Sequence, residues 1–259
     1  MSKMNWIITL LTSVVIFLAA LVHGIAGFGF AQVSMGLLPL FRDPALASVI
    51  FTITAVISNG RVFWSVREDF DLRSWLVPVS GLIFGMPLGI YVFQNLSKRQ
   101  LRLAIGVILI IAVILIVLMR QLEVVKDWIK EKEIKPGWKT ALATGFLAGI
   151  LGGAVAIPGP PMIVYGAFMI ANKYWKGARM KAVFTAFFGT LMAYRLSVLT
   201  YTGSVTVPLI TQALIAIPAL FVGAWAGIKI FENIPEKIFS WFVLVGLTVN
   251  AMILIFTSL

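Results

Sequence analysis

Three side chains have chemistry that does not suit the apolar stretches holding them: His23, Arg61 and Arg195. A guanidinium offers a rigid fork of donors that can take a planar or tetrahedral oxyanion in two parallel hydrogen bonds. His23 is the only histidine in the chain. Its imidazole titrates near neutrality, so it suits either a proton shuttle or a neutral hydrogen-bonding role. All ten acidic residues fall in loops or at segment ends, from Asp43 to Glu236. Coupling to cations, or relaying protons between carboxylates, ordinarily uses Asp or Glu within a span. An interior that is neutral or positive favours an anion instead.

Smaller polar residues accompany these three. Ser58 and Asn59 come just before Arg61, Gln32 and Ser34 follow the stretch HGIAGFGF, and Tyr194 adjoins Arg195. Tyr165 and Thr185 offer further hydroxyls, while Gly159 and Pro160 belong to a second interruption, AIPGPPMIVYG. Each of these also suits ordinary helix packing, and an arginine near a helix end can reach headgroups by snorkelling. With no cysteine in the chain, thiolate metal sites, disulfides and cysteine nucleophiles are excluded. No catalytic group, metal or other cofactor is expected.

The elements that must position these residues follow from composition. Of 259 residues, 60% are hydrophobic and 12% charged, where a soluble domain is roughly half apolar and a quarter charged. The apolar residues fall in runs, such as 103–119 and 239–256, close to the ~20 residues that cross a bilayer as a helix. Lys3 followed by an apolar stretch superficially resembles a secretory signal, but no clear small-x-small cleavage site follows, and the segment has a counterpart later in the chain. The net charge of +11 fits basic cytoplasmic loops better than nucleic-acid binding.

An internal repeat organises the runs. GMPLGIYVFQNL (85–96) matches GAWAGIKIFENI (223–234) at an offset of 138, and Gly24 and Gly27 match Gly149 and Gly152 at 125. An intermediate offset near 134 sets Arg61 opposite Arg195. Close helix packing is the simplest role for the paired glycines. Each half reads as five segments: about 5–27, 30–41, 44–66, 73–95 and 98–119, then 139–153, 158–171, 178–200, 207–231 and 236–257. The domains expected are a first transmembrane repeat (1–119), a basic amphipathic linker (120–138) and a second repeat (139–259).

An odd number of segments inverts the second half. With the linker inside, Lys and Arg divide fourteen inside to five outside, leaving Arg61 and Arg195 within spans. Such a bias orients a membrane protein with its basic loops in the cytoplasm, so both termini are expected outside. The fold class is therefore an all-α polytopic membrane protein with two inverted repeats, each including a short broken or re-entrant helix pair. Segments 30–41 and 158–171 are too short to cross, spanning only about 18–21 Å as helices. Their N-terminal ends, near Phe30–Ser34 and Pro160–Ile163, would turn backbone N–H groups and positive dipole ends towards an anion. Inverted repeats whose broken helices meet near the midplane are a transporter architecture.

The stretches GIAGFGFAQVSMGLLPL and GILGGAVAIPGPPMIVY resemble the TauE/SafE family of sulfite and organosulfonate exporters, which extends to 4-toluene sulfonate uptake permease-like proteins. The resemblance spans nearly the whole chain. Gly24, Gly27, Gly29 and Pro39 keep the family's glycine-rich pattern, and Phe30 and Ala31 depart from it. Gly149, Gly152 and Gly153 keep it in the second half, where a Pro158-Gly159-Pro160-Pro161 variant follows. The resemblance implies export of a small sulfur-containing anion, such as sulfite or a short sulfonate, across the cytoplasmic membrane. Expected partners are that small anionic substrate and the lipid bilayer, with no nucleic acid, and a homodimer is an assembly to consider. An anion channel and a membrane accessory protein without transport are the alternatives. A membrane enzyme would need a nucleophile, carboxylate pair or metal cluster that the interior lacks.

Overall fold

The computed structural model describes residues 6–26, 28–120, 136–231, 248 and 251–256. The linker expected over 120–138 and the tenth segment expected over 236–257 lie largely outside the described residues. Among these residues the chain is all helix and connecting turns. In chain order the helices are α1 (Trp6–Ala26), α2 (Phe30–Leu37), α3 (Pro44–Val66), α4 (Leu72–Asn95) and α5 (Lys98–Arg120). The second half gives α6 (Trp138–Val155), α7 (Gly159–Ala171), α8 (Gly177–Tyr201) and α9 (Val207–Phe231). α1, α3, α4, α6, α8 and α9 are long and apolar enough to cross a membrane, whereas 30–40 and 159–171 are shorter apolar helices.

Local chemistry sets several helix ends. Asp43 caps α3 by accepting from the Ala45 N–H at 2.9 Å, and Pro44 supplies a preset φ at the first helical position. Asp71 caps α4 by accepting from the Ser74 N–H at 2.9 Å. Those hydrogen bonds from Ser74 hold the Asp71 carboxyl below the usual aspartate range. α1 stops before Gly29, whose φ of 98° lies in the left-handed region that glycine tolerates. α6 stops at Ala156, also left-handed at φ 63°, and Pro158, Pro160 and Pro161 then reset the chain.

The outside of the bundle is apolar and the inside is partly polar, the reverse of a soluble protein. Phe84, Tyr91, Val207 and Phe256 are largely exposed, while Gln32, Ser48, Thr52, Asn59 and Arg195 are buried. Exposed apolar faces of this extent belong against lipid tails.

Packing joins the halves rather than keeping them apart. The two most extensive helix pairs are α4 along α6 and α1 along α9, followed by α3 along α8. Small residues make the first two close. A β-carbon on Gly81, Gly85 or Gly89 would collide with the Leu142, Phe146 or Ile150 carbonyl, and one on Gly223 or Gly227 with the Phe17 or Leu21 carbonyl. These glycines allow backbone-to-backbone approach, the packing role their pattern suggests.

Candidate functional site

The ends of α1 and α6 break at the same place in the fold, and a cavity lies between the breaks. Its wall includes His23 and residues 28–32 from the first break, and Pro158 and Gly159 from the second. Phe51, Ala55 and Asn59 of α3 and Phe188 and Met192 of α8 close the sides. The space open to the centre of a water-sized sphere is about 20 Å³, room for roughly one water.

Four of the residues singled out in the sequence meet there: His23, Gln32, Asn59 and Gly159. His23 is 1% exposed, neither ring nitrogen has a well-formed hydrogen bond, and Phe30 packs edge-on to the ring at 5.9 Å. Asn59 donates its amide to the Ala55 carbonyl at 2.8 Å, leaving Oδ1 buried without a partner. Gly159 sits so close to Gln32 that a β-carbon would lie 2.5 Å from Nε2. Ser34 and Ser58 are buried with unpartnered hydroxyls but do not line the cavity. Buried polar atoms without partners are uncommon, and a group of them around one space marks a place where a polar ligand would complete the hydrogen bonding.

Both broken helices begin here without a side-chain cap. The start of α2 keeps backbone N–H groups on Phe30, Ala31 and Gln32, whereas Pro160 and Pro161 remove two donors from the first turn of α7. The first break therefore keeps more backbone donors at its helix start than the second. Pro160 is buried, and contributes shape rather than hydrogen bonds.

The structure gives the two arginines different surroundings. Arg195 is 0% exposed and does not line the cavity. Its Nε donates to the Gly153 carbonyl at 3.3 Å, and its Nη2 to Ser48 Oγ at 2.8 Å. Nη1 donates to Thr52 Oγ1 and, at 3.4 Å, to the Ser48 carbonyl, while the guanidinium carbon lies 4.9 Å from the Phe93 ring centre. Most of the fork is thus occupied by protein. Arg61 is half-buried on α3, two residues beyond Asn59, and lies outside the cavity wall. Tyr194 is half-buried and packs on the core rather than the cavity. Thr185 returns its hydroxyl to the Lys181 carbonyl at 2.8 Å, and Tyr165 stacks edge-on with Trp175 at 5.5 Å.

Two features were not legible beforehand. The aromatic wall of Phe28, Phe30, Phe51 and Phe188 reads in sequence as ordinary apolar helix. Lys181 counts as a loop charge by position, yet it reaches into the bundle and donates to the Gly24 carbonyl at 3.1 Å. Among the described residues no group of three or more His, Cys, Asp or Glu is placed to hold a metal ion.

A family model described as sulfite exporter TauE/SafE matches residues 12–254. No curated protein and no solved structure matches the chain.

Proposed function

The chain belongs to the sulfite exporter TauE/SafE family, and on that premise we propose that it exports a small sulfur-containing anion, sulfite or a short organosulfonate such as sulfoacetate, by alternating access. Its membership of a membrane transporter family and its apolar, membrane-length helices make it a multi-pass membrane protein. The observation that carries the finer reading is the narrow cavity where the two breaks meet. A polyatomic oxyanion needs more room than one water, so the helices must part on one side to admit it.

Mirrored contacts support two inverted repeats, 1–119 and 139–259. Gly85 faces the Phe146 carbonyl as Gly227 faces Leu21, and Gly81 faces Leu142 as Gly223 faces Phe17. Gly149 faces Leu82 as Gly24 faces Ala224. All three pairings exchange under one swap of halves, with α1 matched to α6 at an offset of 125 and α4 to α9 at 142. That second offset is one helical turn from the 138 read in the sequence. A slip of four residues brings the next glycine to the same helix face, so the pattern alone does not separate the two.

In this reading the α2 N-terminus, Gln32 and Asn59 orient the anion's oxygens, and His23 supplies a neutral donor or a proton step. Arg61 and Arg195 supply positive charge, Arg195 through the field rather than by contact. Ser34, Ser58 and Tyr194 support the walls, while Gly159 and Pro160 shape the second break. The basic linker 120–138 would lie in the cytoplasm with both termini outside, the membrane being the cell's inner one. An inside-negative potential then favours anion exit by about 2.3 kcal/mol per charge per 100 mV. Thermal unfolding in detergent tests the ligand class. Sulfite or a short sulfonate should raise the Tm, by the equivalent of about 2.7 kcal/mol at a hundred times its Kd, and simple carboxylates should not. Equal shifts with carboxylates would contradict the sulfur-anion assignment.

A further inference from the structure

α8 carries a cation on each side of the cavity. Lys181, Phe188 and Arg195 recur at intervals of seven residues and so share one face of α8, with about 10 Å of rise between neighbours. Phe188, the middle one, lines the cavity. The two cations both end on carbonyls in the last turn of a broken helix. Arg195 donates to the Gly153 carbonyl in the last turn of α6, and Lys181 to the Gly24 carbonyl in the last turn of α1. Last-turn carbonyls have no acceptor role left within the helix and form its negative dipole end, so a cation is favoured there. The helix leading into each break thus has its C-terminal end tied to α8. Gly24 is the chain neighbour of His23, which lines the cavity.

The two ties differ in how firmly they hold. Arg195 is a planar fork and fully buried, whereas Lys181 is half-buried on a flexible stem. An ammonium with three rotatable donors can exchange one oxygen for another without unpacking the bundle. We propose that Lys181 is a further working cation of the transport path: it exchanges the Gly24 carbonyl for the substrate's oxygens on one side of the cavity. Arg195 is the fixed charge on the other. This rests on the reading of the chain as an anion carrier.

The natural absence of cysteine makes the test direct. K181C is purified, alkylated with 2-bromoethylamine to rebuild a lysine-like ammonium, or with iodoacetamide to leave a neutral amide, and reconstituted in liposomes for sulfite transport. The carbamidomethylated protein should show a KM for sulfite raised about tenfold, the effect of losing one charge at this distance in a semi-polar interior. Aminoethylation should return it to within about threefold of wild type. K181Q provides a second route, because its amide can still donate to the Gly24 carbonyl but carries no charge. It too should show the raised KM with an unchanged Tm. Wild-type KM in K181Q, or equal rescue by both alkylations, would make Lys181 a structural cap only and overturn the proposal. If wild-type liposomes move no sulfite at all, it is the carrier reading that fails.

Discussion

The proposed repeat sets Arg61 opposite Arg195, yet among the described residues only Arg195 is surrounded by partners. The reason lies in their neighbours. At the same offset of 134, Ser48 and Thr52, which hold Arg195, correspond to Ala182 and Ala186, which hold nothing. Sequence spacing located both arginines inside spans, and it pointed to four residues that do meet at the cavity. It did not show which donors were already used, because that depends on contacts between residues more than 140 apart. The consequence revises the simplest expectation, that either arginine can be removed with folding intact. Arg195→Ala removes the donor that the Ser48 and Thr52 hydroxyls and the Gly153 and Ser48 carbonyls share. It should lower stability by about 1–3 kcal/mol together with transport, and Lys should restore only part of either. Arg61→Ala should leave stability within about 0.5 kcal/mol and lower sulfite transport at least about tenfold. Thermal unfolding and liposome flux on the same preparations check both. A fully stable Arg195→Ala variant would contradict the account of its burial.

At the scale of elements, the spans were legible because twenty-residue apolar runs leave little freedom. The segments expected over 44–66 and 207–231 coincide with α3 and α9, and the short segments break at Gly29 and Pro158 as their composition requires. Packing partners were less legible, since a glycine every four residues marks a helix face without naming what approaches it. The structure assigns Gly85 to the Phe146 carbonyl, with no space for a β-carbon, whereas nothing lies within 4 Å of one at Gly60. Gly85→Ala should therefore destabilise by about 1–3 kcal/mol through overpacking at the α4–α6 crossing. Gly60→Ala should be neutral or should stabilise by up to about 1 kcal/mol, as alanine replaces glycine inside a helix. Comparable melting points for the two variants would show that the crossing is not as close as described.

At the scale of the whole molecule, function depends on an arrangement that no single segment contains. Both breaks contribute to the cavity wall, the first more than the second, and α3 and α8 close the remaining sides. The first helix of each half packs on the fourth helix of the other, so the halves cannot move as independent blocks. In the proposed alternating-access cycle, one side of the cavity opens as those crossings tilt or slide. A carrier of this kind binds its anion, reorients and returns, and it exchanges substrate across the membrane without a continuous pore. The direct measurement is counterflow: liposomes containing the purified protein are loaded with unlabelled sulfite and diluted into a trace of radiolabelled sulfite. The account predicts that label rises inside above its external concentration and then decays, and that protein-free liposomes show no such rise. Label that only equilibrates, without overshoot, or no protein-dependent sulfite movement, would contradict it.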